Sequence, residues 1–494
     1  MVSLTNTLIS YVLTTVLGGS LKVLLTLPPD THNLEIYSIL GAKAPPLGIA
    51  WIASVLERGG HKVKIIDSPT MKLGLKDFIL MVKNWSPDVI GMSIITPTAY
   101  RAYRTVKILK KYFSDIPIIA GGPHPTFKYD EALNEGFDVV VCGEGELTTL
   151  DLINNIELYG FPNDELKNVK GIAFKDPDGR VVKTPPREPI LDLSKLPWPA
   201  HHLLDMDAYA IFGEKVRVAH VIASRGCPYG CVFCSTSYFW GRRVRFRPAK
   251  DVVDEIEFLV NKYNIKKIAF MDDELTANRM FIKELINELR TRKLDIEFSC
   301  GSRVDHVDRE LLKDLKDVGL RAIYFGVESS SQETLDRIGK KLRIDDIVRT
   351  FKVVKEVGIF HVGTFILGFP WETLEDMERT IDFAIRLDPS YAQFTIATPY
   401  PGTPLYEYAL KNNLIVDTNW EHYTTLRPVM RGFKFTVGDV ARMLARAYRK
   451  FYLRMNLLVR ELRSGRLSGI KTIIAKGISN WFDDYIRSKF QESS

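Results

Sequence analysis

Short runs of Val, Ile and Leu alternate with helical patterns twice along this chain, over residues 21–150 and again from about 218. Buried strands separated by helices demand parallel sheets, because a parallel pair needs a crossover long enough to hold a helix. In the first stretch KVLLTL (22–27), KVKIID (62–67), VIGMSII (89–95), IPIIAGG (116–122) and DVVVCGE (138–144) are predicted strands. LGIAWIASVLERGG (47–60) reads as an amphipathic helix closed by glycines. The pattern predicts a doubly wound α/β domain over 21–150. Ligands of such sheets sit beyond the carboxyl ends of the strands, where His32, Ser93, Gly121 and Gly122 fall.

The second stretch carries VIASRG (221–226), KIAFMDDE (267–274), IEFSCGSR (296–303), AIYFGVES (322–329), FHVGTFILGF (360–369) and AQFTIATPY (392–400). Six strands alternating with helices predict a partial (β/α)6 barrel over 216–430, shorter than the eightfold form. Between the two stretches, residues 151–215 hold a predicted hairpin around Asp-Pro-Asp-Gly in 171–185 and a proline-punctuated connector over 185–200. Residues 431–494 read as a basic amphipathic helical region, with twelve Lys/Arg against four Asp/Glu over 441–494. Its apolar side carries Tyr448, Phe451, Tyr452, Leu457 and Leu458, which would suit either a lid on the barrel or an anionic membrane surface.

Residues 1–20 contain an apolar run, Leu8 to Leu17, that is shorter than the roughly 20 residues a membrane span requires. The run lacks the basic flank and cleavage site of a secretory signal, so a packed N-terminal helix is expected. Five cysteines in 494 residues make a disulfide framework improbable and point to a reducing, cytoplasmic setting.

Three of the five cysteines are Cys227, Cys231 and Cys234, in SRGCPYGCVFCS directly after a predicted strand. A structural zinc site takes four ligands, usually in two pairs, and no second pair exists here. His124 or His201 would have to complete such a site. Three thiolates suit a cubane [4Fe–4S] cluster better, because they leave one iron open to a substrate.

The Cys-x3-Cys-x2-Cys spacing, with Phe233 before the last cysteine, resembles the radical SAM superfamily. Later strand ends resemble it too. Met271-Asp272-Asp273-Glu274 is similar to the motif that holds the amino group of S-adenosylmethionine. Arg303 and Glu328 stand where the family contacts the methionine carboxylate and the ribose. GTFILGFPWET (363–373), with Gly368, is similar to the glycine motif beside the adenine. The resemblance implies that the bound cluster cleaves S-adenosylmethionine to a 5′-deoxyadenosyl radical, with electrons from an external donor.

A sheet domain placed before such a barrel resembles the cobalamin-binding subclass. Ser93 and Gly121-Gly122 look like the serine and paired glycines that house the nucleotide tail of a base-off cobalamin. The Asp-x-His-x-x-Gly signature of a lower axial ligand survives only as Asp30-Thr31-His32, with Glu35 in the glycine's place. His32 is therefore either a cobalt ligand or a solvated loop histidine. The expected fold is an N-terminal Rossmann-like cobalamin-binding-type domain, a (β/α)6 radical SAM barrel and a helical C-terminal segment.

Two reactions are open. In one the substrate radical closes a ring; in the other it receives a methyl group carried by cobalamin. The chain as a whole resembles archaeal enzymes that build cyclopentane rings into tetraether (GDGT) membrane lipids. That resemblance makes ring formation on an isoprenoid lipid the expected reaction, with methylation as the alternative, and implies an apolar lipid or other small-molecule substrate. No RNA-binding module or stacking platform is recognisable, so nucleic acid is not an expected partner.

Overall fold

The computed structural model describes residues 19–34, 44–209 and 217–460, with Asn456 and Leu458 excepted. The N-terminal run Leu8–Leu17, the tail beyond 460 and Leu458 lie outside the described residues. Two compact units meet in the chain near Tyr209.

The first unit is built on β1 (Lys22–Thr26), β2 (Lys62–Ile66), β3 (Val89–Ser93), β4 (Ile118–Gly121) and β5 (Val139–Val141), all parallel. Their order in the sheet is β2-β1-β3-β4-β5, so the winding reverses between β1 and β3. That reversal opens a crevice at the carboxyl edge of a doubly wound sheet. The strands are nearly continuous apolar runs because helices cover them; Val89, Ile90, Ile118 and Val139 are fully buried. The predicted hairpin forms as β6 (Ile172–Lys175) and β7 (Val181–Lys183). It extends the same sheet, with β6 antiparallel to β5, and does not stand apart as a connector.

The second unit contains β8 (Val218–Val221), the two-residue β9 (Ser224–Arg225) and β10 (Arg245–Phe246), β11 (Lys267–Phe270), β12 (Glu297–Ser302), β13 (Leu320–Glu328), β14 (Phe360–Leu367) and β15 (Tyr391–Ile396). Six of these form a parallel sheet in sequence order, β8-β11-β12-β13-β14-β15, as the partial barrel requires. The first barrel strand lies three residues earlier than VIASRG suggests. Ser224–Arg225 leaves the barrel to pair antiparallel with Arg245–Phe246, which carries the chain into the cysteine loop.

Local signals set the helix starts. Asn278 accepts from the N–H groups of Met280 and Phe281, Asp308 from Leu311, and Thr373 and Thr436 form reciprocal caps with Asp376 and Asp439.

The C-terminal helix Val437–Tyr452 buries its apolar side against the barrel. Phe451 is fully buried, Tyr452 Oη exchanges hydrogen bonds with the backbone of Ala392, and Tyr448 Oη donates to Phe394 O at 3.0 Å. Leu457 is also buried. Several basic residues are paired: Arg446 and Lys450 with Glu378, Lys450 also with Asp382, and Arg454 with Asp388. The apolar side of the helix covers the barrel. Among the described residues, no helix is long and apolar enough to cross a membrane.

If the helix is core, Phe451→Ala should cost about 3–5 kcal/mol of stability by denaturant unfolding. Arg446→Ala, at an exposed ion pair, should cost no more than about 1 kcal/mol. Equal, small effects from both would refute the packing.

Candidate active site

In the second unit the three cysteines lie between β9 and the short helix Thr236–Phe239. Gly226 (φ 97°) and Gly230 (φ 64°) adopt left-handed backbone that lets the loop coil back on itself. Cys231 is buried, while Cys227 and Cys234 are half-buried. Burial pushes the Cys227 thiol up, and the other two sulfurs are close enough to add to the effect on Cys231. Burial pushes Cys231 up to about 11, with Lys340 pulling the other way. Three neighbouring cysteines on one loop fit a cluster whose metal charge would hold them as thiolates.

Strand ends converge on this loop. Beyond β11, the Asp272 carboxylate is buried and accepts from Ala223 N at 3.1 Å and Ser224 Oγ at 2.5 Å. Burial pushes it up to about 7 despite these bonds. Asp273 accepts from Thr236 Oγ1 at 3.0 Å, bracing the far end of the cysteine loop. Glu274 is buried, and its Oε1 takes hydrogen bonds from Thr276 Oγ1 (2.6 Å) and Arg303 N (3.2 Å) and meets His306 Nδ1 at 3.1 Å. The Arg303 guanidinium spans Asp305 (2.9 and 3.0 Å), donates to Lys340 O (2.8 Å) and lies 3.5 Å from the Tyr229 ring centre. Tyr229 Oη meets His306 Nε2 at 2.5 Å, which closes a ring of contacts between the cysteine loop and the ends of β11 and β12.

Glu328 ends β13 at a register shift against β14 and has φ 66°, a strained value for a side-chain-bearing residue. Its Oε1 accepts from Lys340 Nζ at 2.7 Å, and both side chains are buried. Burial pulls the Lys340 ammonium down, yet Glu328 and Cys231 together hold it above the usual range. A Cβ on Gly326 would stand 2.4 Å from Glu328 Oε1 and 2.5 Å from Lys340 Nζ, so a side chain there would displace the pair from its present position. The turn carrying Lys340 also props the cysteines: Ile338 O accepts from Val232 N at 3.0 Å, and Cys231 Sγ lies 3.9 Å from Gly339 O.

Gly368 follows β14, and its N–H and that of Phe369 both donate to Glu372 Oε2 at 2.9 Å. Glu372 is buried with Oε1 unpartnered, and burial pushes its carboxyl up to about 8. Phe369 lies 5.9 Å, ring to ring, from Phe233. Phe233, Glu328, Thr364, Ile366, Gln393 and Thr395 help line a cavity of about 270 Å³ inside the barrel.

The residues predicted for the barrel are thus brought to one end of it. Sequence reasoning missed Lys340, Tyr229, His306 and Glu372. Tyr229 and Glu372 stand inside motifs already singled out; Lys340 and His306 carry no local signal.

In the first unit Ser93 and Gly121 pair directly in the β3–β4 register, with Gly122 next in the chain. At Gly122 (φ 98°) a Cβ would meet Ile94 O at 2.8 Å and Ser93 Oγ at 3.2 Å, so the two strand ends close on each other through it. This glycine-lined carboxyl edge fits the close approach of a bulky ligand. His124 is engaged inside the fold, with its ring nitrogens 3.0 Å from Tyr103 Oη and 3.3 Å from Thr96 Oγ1. Burial lowers it to about 3. His32 follows β1, and its Nδ1 is buried without a hydrogen-bond partner among the described residues. A ligating imidazole is normally oriented through that second nitrogen, and among the described residues no partner orients it.

A family model for the radical SAM superfamily matches residues 221–384, and one for the B12 binding domain matches residues 36–153. An uncharacterized methyltransferase of Pyrococcus horikoshii is 39% identical over 444 residues, covering 90% of this chain and 95% of its own. The anaerobic magnesium-protoporphyrin IX monomethyl ester cyclase of Rubrivivax gelatinosus is 32% identical over 451 residues, covering 89% of this chain and 80% of its own. Among solved structures, the cobalamin-dependent S-adenosylmethionine radical enzyme OxsB with aqua-cobalamin bound superposes with a TM-score of 0.72 at 18% identity. The overlap covers 96% of this chain and 75% of that one.

Two measurements probe the site's charges. Lys340→Met should destabilise the chain by about 3–5 kcal/mol by leaving Glu328 buried and unpaired, and adding Glu328→Gln should recover most of that loss. For Glu372, the folded chain keeps a proton that the unfolded chain releases above its ordinary pKa of 4.5. Its contribution is complete below that value and falls as pH rises toward about 8. Glu372→Gln, neutral throughout and still accepting both N–H groups, should lose less Tm between pH 5 and 8; an unchanged pH profile would contradict the assignment.

Proposed function

The chain belongs to the radical SAM superfamily, in the group with a B12-binding domain ahead of the barrel, and from that premise we propose that it is a cobalamin-dependent methyltransferase acting on carbon. The observation that carries this reading is the 39% identity, over nearly the full length of both chains, to a protein named as a methyltransferase. The pairing of B12-binding and radical SAM domains in one chain supports it.

Cys227, Cys231 and Cys234 would hold a [4Fe–4S] cluster, and Ser93, Gly121 and Gly122 would receive the nucleotide tail of cobalamin. When bound, these groups supply the radical and the methyl carrier. The chain's own residues bind and orient. Glu274 and Glu328 present buried carboxylate oxygens to the amino and ribose groups of S-adenosylmethionine. Lys340 and Arg303 supply positive charge for its carboxylate, with Arg303 also fixing the cysteine loop through Tyr229. Asp273 positions that loop through Thr236. Phe233 and the Gly368 turn provide an apolar and backbone surface for the adenine. The helix Val437–Tyr452 seals the outer face of β15 and keeps the barrel wall rigid. His32 receives no role in this reading.

Ring formation is the second reading, and the cyclase of Rubrivivax gelatinosus favours it. Closure of rings in a tetraether lipid is its most specific form. The C-terminal helix lends a lipid substrate no support, because its apolar side packs on the barrel and Arg446 and Lys450 pair with Glu378 and Asp382.

The deciding experiment is anaerobic turnover of the protein reconstituted with iron, sulfide and cobalamin, given S-adenosylmethionine, a reductant and cell extract, and read by mass spectrometry. Methyl transfer predicts S-adenosylhomocysteine and 5′-deoxyadenosine together, with a product heavier by one methyl. Deoxyadenosine without S-adenosylhomocysteine, and a product that has lost hydrogen, would establish ring closure instead. Replacing any one of Cys227, Cys231 or Cys234 with Ala should abolish both nucleoside products; deoxyadenosine surviving in any of the three would refute the cluster assignment.

A further inference from the structure

The loop that carries the three cysteines is flanked on two sides by cationic chain. Residues 225–250 hold six Lys/Arg and no Asp or Glu. The segment 241–243 folds back onto the loop at its two glycines. A Cβ on Gly230 would stand 2.8 Å from the Arg242 guanidinium, and one on Gly226 would stand 2.5 Å from Arg243 O. The Arg242 guanidinium therefore lies directly over the backbone between Cys227 and Cys231. Tyr238 braces the same point: its Oη donates to Gly230 O at 3.2 Å, and its ring centre lies 5.8 Å from the guanidinium. The turn after the helix Gln332–Arg337 arrives from another direction, where a Cβ on Gly339 would stand 3.7 Å from Gly230 O. Residues 337–343 hold four Lys/Arg and no acid.

Four of these cations, Arg242, Arg243, Lys341 and Arg343, are exposed, and none forms an ion pair among the described residues. Other exposed cations of the same unit, such as Lys250, Arg379 and Arg446, are held by acids. Like charges gathered without acids repel one another, and an anionic partner would offset that repulsion. The position of the patch says which anion. Cys227 and Cys234 are only half-buried, so the outer face of their loop lies close to solvent. Electron transfer falls off steeply with distance, so a donor serving this loop must dock beside it. A nucleic-acid surface would add free aromatic faces for stacking. Here the Tyr238 ring lies near Arg242, and the Trp240 ring carries Arg225 at 4.9 Å.

We infer that Arg242, Arg243, Lys341 and Arg343 form the docking surface for an acidic protein that delivers one electron to the cluster. The inference rests on the reading above that Cys227, Cys231 and Cys234 hold that cluster. In the step, the reduced carrier loses one electron and the oxidised cluster gains it; no bond forms or breaks and no proton moves. Attraction between the four cations and the carrier's carboxylates steers the encounter and turns the carrier's redox centre toward Gly230.

The test uses the full chain reconstituted anaerobically with iron, sulfide and cobalamin. A plant-type ferredoxin, an acidic protein, and methyl viologen, a small cation, serve as reduced donors. Stopped-flow absorbance reads reduction of the cluster, and anisotropy of labelled, oxidised ferredoxin reads binding, which needs no electron transfer. Ferredoxin affinity and rate should both fall by at least about tenfold from low to high salt, as exposed charges are screened. Arg242→Glu combined with Lys341→Glu should lower both by about tenfold at low salt, while the viologen rate does not fall. Unchanged ferredoxin binding in the double variant, indifference to salt, or equal slowing with both donors overturns the inference. Tighter binding of a short single-stranded RNA than of ferredoxin would make the patch a nucleic-acid surface and also overturn it. If the double variant loses its cluster absorbance, Arg243→Glu with Arg343→Glu replaces it under the same criteria. Because binding and electron arrival are read without a substrate, failure here is distinct from failure of the methyl-transfer reading, which is judged on S-adenosylhomocysteine.

Discussion

The buried ion pair of Glu328 and Lys340, at 2.7 Å, joins the end of β13 to the turn on which the cysteine loop rests. Neither charge would survive in the interior alone, since removing two ions from water costs several kcal/mol each before they attract one another. Their meeting requires three local departures from regular structure. β13 shifts register against β14, Glu328 takes a left-handed backbone, and Gly326 gives up its side chain to make space. Each departure costs stability, and the pair together with the bonds from Ile338 and Gly339 to the cysteine loop offsets that cost. Strain of this kind collects where a site must be held in one geometry.

Much of this architecture was legible in the chain because loops after parallel strands are where polar residues interrupt apolar runs. The cysteines, Asp273, Glu274, Arg303, Glu328 and Gly368 all stand at such interruptions, and the fold brings them to one end of the barrel. Lys340 stands next to another lysine after a short helix, where no pattern marks it; its partner is twelve residues back and reaches it only through the register shift. His306 connects Glu274 to Tyr229 across 32 and 77 residues, separations over which no periodicity operates. The basic C-terminal helix suited a lid or a membrane surface in sequence for the same reason. Its own sequence shows arginines and lysines, while the acids that pair with them, Glu378 and Asp382, belong to the helix Leu374–Leu387. The hairpin around Asp-Pro-Asp-Gly was evident from its turn chemistry, but its place on the edge of the first sheet depends on β5, thirty residues away.

The two units solve the same problem of ligand approach by different means. At the carboxyl edge of the first sheet, contact is made possible by absence: Gly121 and Gly122 carry no Cβ, and Ser93 sits in register with the first of them. Backbone there can come close to a large, rigid group without a charge being committed. In the barrel, contact is made by charge and hydrogen bonding, with Glu274, Arg303 and Lys340 each already engaged by protein neighbours. Such engagement limits the reorganisation needed when a ligand arrives, which is the physical content of preorganisation.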